Sequence, residues 1–146
     1  MRQSFLLLLT ALLAACGTGS GTGTGQDVPG DGSDSRPYAG IAEGAVLRLV
    51  GTEPFWGGTI AGGTFTYTTP ENQAGEAAAV TRFAGRGGLS FSGTMGARQL
   101  DLVVTPGACS DGMSDRTYPF VATLQLGGEQ RQGCAWREGD DLGAAP

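Results

Sequence analysis

Hydrophobic and polar residues alternate along most of the chain after residue 40. In the segment 64–68 (TFTYT), two aromatic residues share one face and three threonines share the other. The same alternation recurs in segments 47–49, 89–92, 100–104 and 120–126. A period of two buries one face of a β-strand and exposes the other. Because no long window in this part of the chain keeps a period of 3.6, the pattern predicts strands rather than helices.

Pairs of glycine separate several of these segments. They occur at 57–58, 62–63, 87–88 and 127–128, and the last pair lies between two strand-like segments, which predicts a hairpin turn. Seven or eight short strands in about 95 residues predict an all-β fold, either a small antiparallel β-barrel or a sandwich. The segment 74–79 (AGEAAA) is expected to form a helical turn or a loop.

The N-terminus has the features of a secretion signal. Arg2 precedes an apolar run at 5–15 that is shorter than the roughly 17–25 residues of a bilayer-spanning helix. Residues 13–16 (LAAC) resemble a bacterial lipobox, which implies a diacylglyceryl group on Cys16 and an acylated new N-terminus. Two or more acyl chains hold a protein stably at a membrane. The alternative is an ordinary cleaved signal followed by an incidental cysteine.

The residue after this cysteine bears on the destination of the protein. In enteric-type bacteria an aspartate at that position favours retention in the inner membrane. Residue 17 is glycine instead. The sequence therefore favours a lipid-anchored protein of the outer membrane that faces the periplasm.

The composition divides the chain into four parts. A signal peptide is predicted at 1–15, and the lipidated cysteine and a disordered linker rich in Gly, Ser, Thr and Asp at 16–40. The folded β domain is predicted at 41–137 and an acidic, disordered tail at 138–146.

The charged and titratable residues narrow the possible functions. The chain has no histidine, which excludes His-based general bases, Ser-His-Asp and Cys-His nucleophile pairs, and His-ligated metal sites. Nine arginines, no lysine and 14 acidic residues give a net charge of −5, which argues against a nucleic-acid partner. We therefore predict no catalytic residue, no metal and no cofactor.

Two cysteines remain besides Cys16. Cys109 and Cys134 follow a signal that directs the chain to an oxidising compartment, where such a pair usually forms a disulfide. The alternative is two free or metal-binding thiols. Without histidine or a further cysteine, a zinc site is poorly supported.

Two segments are richer in chemically active residues than strands require. They are 51–56 (GTEPFW) and 109–119 (CSDGMSDRTYP). Together with 81–82 (TR) and 133–135 (GCA), they resemble an uncharacterised family of bacterial envelope lipoproteins with G-x-E-P-F-W and C-x-D-G-M-S-D motifs. Members of that family are associated with small β domains of the META/heat-shock-lipoprotein type. The resemblance implies a cell-envelope location and a β fold, but no reaction.

These motifs supply the candidate binding residues, each with two interpretations. Phe55 and Trp56 either line a ligand pocket or plug one end of the barrel. Glu53 is either a recognition carboxylate or the ion-pair partner of Arg82 or Arg116. The full set of candidates is Glu53, Phe55, Trp56, Arg82, Asp111, Met113, Asp115, Arg116 and Tyr118.

The second segment carries its own alternatives. Asp111 and Asp115 either hold a calcium ion or cap their own turn, and the turn is the commoner role for short Asp side chains. Met113 either contacts a partner or covers the disulfide.

The sequence predicts a lipid-anchored envelope lipoprotein whose β domain is a non-catalytic binding or structural module. Its partners would be the membrane, through the N-terminal lipid, and an envelope protein or a small-molecule ligand. One alternative is a barrel that inhibits lysozyme or holds a small ligand in an apolar cavity. A less favoured alternative is a hydrolase of envelope polymers that uses Glu53 with Asp111 or Asp115.

Overall fold

The computed structural model describes residues 35–143 of the chain. Regular secondary structure in that range consists of eight β-strands: β1 (Leu47–Thr52), β2 (Phe55–Ala61), β3 (Thr64–Thr69), β4 (Asn72–Ala84), β5 (Leu89–Met95), β6 (Arg98–Cys109), β7 (Tyr118–Leu126) and β8 (Glu129–Arg137). Between residues 35 and 143, no helix has the length and hydrophobicity needed to cross a lipid bilayer.

The eight strands form a closed antiparallel barrel. Each strand pairs with the next one along the chain, and β8 pairs with β1 to complete the circle. The closing register places Leu47 opposite Arg137 and Val50 opposite Cys134. The predicted all-β fold is confirmed, and of the two predicted architectures the barrel is the correct one.

Side chains fill the interior of the barrel. Along β7, buried and partly exposed residues alternate from Tyr118 to Leu126, as the period of two requires. Leu100, Leu102 and Leu124 are fully buried in the same cluster as Phe65. Eight strands enclose a space just wide enough for such side chains, so the interior is a packed core.

The two ends of the barrel differ. The mouth carries the β1–β2, β3–β4, β5–β6 and β7–β8 turns, whereas the chain enters and leaves the barrel at the opposite end, the base. Residues 38–45, the base strap, cover the base. Within the strap, Ile41 is only 2% exposed, and the backbone N–H of Tyr38 donates to the carbonyl of Gly85 at 2.7 Å.

The expectation of a helical turn or loop at 74–79 is wrong. These residues belong to β4, where Ala77, Ala78 and Ala79 pair with Thr66, Phe65 and Thr64. Helix propensity is a weak preference that tertiary pairing overrides. The small side chain of Ala78 faces the core beside Phe65, which explains why alanine suits this strand.

Contacts of the barrel extend beyond the predicted boundaries of 41 and 137. Tyr38 is bound at the base, and the backbone N–H of Glu138 donates to the carbonyl of Val46 at 2.9 Å. The Glu138 carboxylate also pairs with Arg48 at 2.7 Å. Hydrogen bonds therefore hold residues that the sequence assigned to the linker and the tail. The predicted signal peptide, Cys16, most of the linker and the last three residues lie outside the described range.

Candidate functional site

The two motif segments come together on the outside of the barrel. Residues 110–117, here called the stapled loop, connect β6 to β7 and fold back over the outer face of β8. A small cavity of about 150 Å³ lies at this contact. Its lining combines the end of β1, the start of the loop and the middle of β8: Val50, Gly51, Thr52, Cys109, Ser110, Asp111, Gln132, Gly133 and Cys134.

A disulfide fixes the start of the stapled loop to the barrel wall. Cys109 and Cys134 are bonded, with their Cα atoms 5.6 Å apart, which confirms the predicted pair. Cys134 alternates with the core-facing Ala135, so its side chain lies on the outer side of β8. It is nevertheless only 1% exposed. The loop therefore covers the outer side of β8 at this point.

Asp111 organises the interior of the stapled loop. Its Oδ1 accepts hydrogen bonds from the backbone N–H groups of Met113 at 3.0 Å and Ser114 at 2.8 Å. The Ser114 hydroxyl donates to Oδ2 at 2.9 Å. These bonds, above all that from the Met113 N–H, hold the pKa of the Asp111 carboxyl far below its ordinary value. Of the two predicted roles for Asp111, the structure shows the turn-capping one.

Tyr118 anchors the other end of the loop. Its hydroxyl donates to Oδ2 of Asp111 at 3.0 Å, and its ring packs against Trp136 with centroids 5.2 Å apart. Tyr118 is buried, yet it lies outside the main core cluster. The disulfide and the Tyr118–Trp136 pair thus attach the two ends of the loop to β8, and Asp111 orders the backbone between them.

Three more of the predicted candidates lie on the loop, two of them exposed to solvent and one partly buried. Met113 is 69% exposed. Asp115 is also exposed and accepts no hydrogen bond within residues 35–143. Arg116 is partly buried, and its Nε is enclosed without a partner in the described part of the chain. The loop therefore carries one exposed apolar side chain and a partly buried guanidinium group that has no carboxylate partner within residues 35–143.

Trp56 lies inside the barrel below the mouth. It is 3% exposed, and its ring stacks on Tyr67 with centroids 6.0 Å apart. Gly51 and Gly133 make room for the indole, because a Cβ atom at either position would collide with it. Trp56 thus has the geometry of the predicted plug, whereas Phe55 is 52% exposed at the rim.

Sequence reasoning missed an arginine at the same end. Arg131 shares the inward-facing side of β8 with Gly133 and Ala135. Its guanidinium pairs with Glu129 at 2.5 Å, donates to the hydroxyl of Tyr67 and lies 5.5 Å from the centroid of that ring. The alternation along β8 could have revealed it, since an arginine in phase with Gly133 and Ala135 must point inward.

The surroundings of Tyr67 change the pKa of its hydroxyl. Burial raises the pKa of its hydroxyl, and the neighbouring Arg131 opposes that rise. The phenol is therefore protonated at neutral pH and accepts the arginine N–H as a neutral group. Together Trp56, Tyr67 and Arg131 close the mouth from within.

Glu53 and Arg82 are not brought together. Arg82 lies at the base, where it donates to the carbonyl of Ile41 at 3.0 Å and approaches Glu43 at 3.9 Å. Glu53 occupies the β1–β2 turn at the mouth, and neither Arg82 nor Arg116 pairs with it. The sequence could not show this separation, because it depends on which strand ends meet at each end of the barrel.

Glu53 lines a larger opening, here called the mouth cleft. The cleft has a volume of about 700 Å³ and is open to solvent. Its walls come from the β1–β2 turn, the β3–β4 turn and β8: Thr52, Glu53, Pro54, Phe55, Thr69, Pro70, Glu71 and Arg131. Thr52 lines both this cleft and the cavity under the stapled loop. The two openings are therefore neighbours.

Glu53 and Asp111 do not face each other across one cleft. Asp111 uses both carboxylate oxygens within its own loop, and it lines a different cavity from Glu53. Among residues 35–143, no three acidic or cysteine side chains cluster in a way that could hold a metal ion. Comparison with protein-family models, with curated proteins and with solved structures finds no match to this chain.

Proposed function

We propose that this chain is a lipid-anchored lipoprotein of the bacterial cell envelope whose barrel is a non-catalytic binding domain. The stapled loop is its contact surface for another envelope protein. The observation that carries this proposal is an ordered loop, attached to β8 at both ends, that exposes Met113 and holds Arg116 partly buried.

Rigidity supports a binding role for the loop. Ordering a flexible loop on association costs conformational entropy, and a loop that is already ordered avoids that cost. The disulfide and the Asp111 hydrogen bonds fix the backbone around Met113 before any partner arrives. The loop is therefore ordered before it meets a partner.

The side chains at the tip also suit an interface. Methionine and arginine are both enriched in protein–protein interfaces. Met113 has few contacts of its own, since most of its surface is exposed. Arg116 lacks a carboxylate partner within residues 35–143, so a partner protein with an acidic group could supply one.

The interior and the carboxylates argue against the alternatives. A carrier of small ligands needs an internal cavity, whereas large buried side chains such as Phe65 and Leu124 occupy the barrel axis. A hydrolase needs two carboxyl groups across a cleft, whereas Asp111 is committed to its own loop. Binding on the outside of the barrel remains the better-supported function.

The lipid anchor rests on the sequence alone. Residues 13–16 have the lipobox pattern, and the glycine-rich segment that follows lacks the apolar residues needed to pack. The motif resemblance to envelope lipoproteins supports the same location, and Gly17 supports the outer membrane. Mass spectrometry of the mature protein should find a diacylglyceryl adduct on Cys16. An unmodified thiol at that position would refute the anchor.

The loop is tested by photocrosslinking in living cells. A photoreactive amino acid at position 113 should form a discrete adduct with one envelope protein. The matched control places the same residue at Val103, which is exposed on the outer face of β6. Arg116→Glu should remove the adduct at position 113. Equal adducts at both positions, or an adduct unaffected by Arg116→Glu, would refute the loop as a specific contact surface.

A further inference from the structure

The mouth cleft is a second opening that the stapled loop does not use. Three of its walls are apolar: Pro54, Pro70 and the half-exposed ring of Phe55. Its volume of about 700 Å³ lies within the range of clefts that bind ligands. A single aromatic ring exposed beside two prolines provides a surface for an apolar chain.

The carboxylates at the cleft outnumber its guanidinium group. Glu53 and Glu71 line the cleft and form no ion pair within the described residues. Arg131, the cation of the lining, is already paired with Glu129 at 2.5 Å and bonded to Tyr67. The two free carboxylates therefore give the cleft a negative potential at neutral pH.

A ligand for this cleft needs an apolar stem and a positively charged end. Lysine and arginine side chains have this construction, because their methylene groups pack on apolar surfaces while the charged end stays near carboxylates. A cation near the face of an exposed phenylalanine ring gains further attraction. A purely apolar ligand would leave Glu53 and Glu71 unused, and an anion would be repelled.

We propose that the mouth cleft binds a lysine or arginine side chain of a protein partner. Glu53 and Glu71 would lie near its charged end, and Phe55 would pack against its methylene groups. The cleft and the cavity under the stapled loop share Thr52 in their walls. Because the loop is the proposed contact surface for a protein, we assign the basic side chain to that protein rather than to a free amine. In this respect the inference rests on the proposed function. A protein held at the loop would present a basic side chain to the cleft beside it.

The test is a titration of the ¹⁵N-labelled full chain with synthetic peptides. One peptide carries a central lysine, and its partner carries norleucine, which keeps the stem and removes the charge. The lysine peptide should shift the amide signals of Phe55, Thr69 and Glu71. The norleucine peptide should bind at least about tenfold more weakly than the lysine peptide. Equal binding of the two peptides would overturn the proposal.

Variants locate the binding. Glu53→Gln with Glu71→Gln should abolish the shifts, whereas Glu43→Gln, an exposed acidic residue at the base, should leave them unchanged. Unchanged amide signals along β6 and β7 would show that the double variant is folded. Equal loss of the peptide-induced shifts in the double variant and in Glu43→Gln would contradict a specific site. Unchanged shifts in the double variant would contradict it as well.

Two further comparisons distinguish failure of the cleft proposal from failure of the proposed function of the loop. Nα-acetyl-lysine methylamide should bind more weakly than the peptide, and equally tight binding would overturn the assignment to a protein partner. A lysine peptide that binds normally while crosslinking at position 113 fails would remove the loop but keep the cleft.

Discussion

The indole Nε1–H of Trp56 donates a hydrogen bond to the carbonyl oxygen of Gln132, 3.0 Å away. This bond links β2 to β8 through the inside of the barrel. It satisfies the one polar atom of a side chain that is almost fully buried. The glycines at positions 51 and 133 keep the path of this bond open.

We expect Gly51→Ala to destabilise the barrel by about 1–3 kcal/mol, because the new methyl group would collide with the indole and with the Gln132 carbonyl. Urea denaturation followed by circular dichroism measures the loss. The matched control is Gly87→Ala, where a Cβ would meet no atom within 4 Å. Equal stability of the two variants would show that the indole can move aside.

The stability of the stapled loop should depend on pH through the carboxyl group of Asp111. Backbone hydrogen bonds lower the pKa of its carboxyl in the folded state below the ordinary value of 3.8. The stabilisation is therefore fully present above that ordinary value and is lost as the pH falls from about 4 towards the folded pKa. Asp111→Asn should reduce the dependence of the free energy of unfolding on pH in this window.

The control for this effect is Asp115→Asn, on the same loop. Asp115 is exposed and accepts no hydrogen bond within the described range, so its replacement should leave the acid dependence of the wild type in place. If both variants unfold with the same acid profile as the wild type, Asp111 does not hold the loop in the way described.

Removal of the disulfide should cost about 3–4 kcal/mol of stability, since the two cysteines are 25 residues apart and the closed loop restricts the unfolded chain. The double variant Cys109→Ala, Cys134→Ala should also release the stapled loop. Trypsin should then cleave after Arg116 faster than in the wild type. Cys16→Ala, which leaves the bond intact, should show neither effect.

The base strap should contribute to the stability of the barrel through Ile41. This side chain is almost fully buried, so Ile41→Ala should cost about 2–5 kcal/mol and Ile41→Val about 0.5–1.5 kcal/mol. Glu43→Gln in the same strap should be neutral, because its side chain is exposed. Thermal unfolding of the three variants gives the order. A neutral Ile41→Ala would mean that the strap is not part of the core.

Strands and core faces could be predicted because the period of two is a local signal. Phe65, Leu102 and Leu124 are buried where the alternation places them. The choice between barrel and sandwich could not be made, since both require the same alternation. It depends on the pairing of Leu47 with Arg137, a contact between the two ends of the domain.

The candidate site was predicted in part. The roles of Cys109, Cys134 and Asp111 follow from local chemistry and from the count of cysteines. The position of Glu53 and the inward direction of Arg131 depend on how distant strands meet. At the alanines 77–79 a local signal gave the wrong prediction. Their preference for helix is weaker than the pairing with β3 that the fold imposes.

Closure of the barrel through β1 and β8 has a consequence for how the molecule is made. A chain synthesised from its N-terminus displays seven strands before the residues of β8 emerge. Until then, β1 and β7 each keep a free edge that can pair with another chain. Completion of the fold therefore waits for β8, and a chain in which β8 is not yet in place keeps both edges open to pairing with another chain.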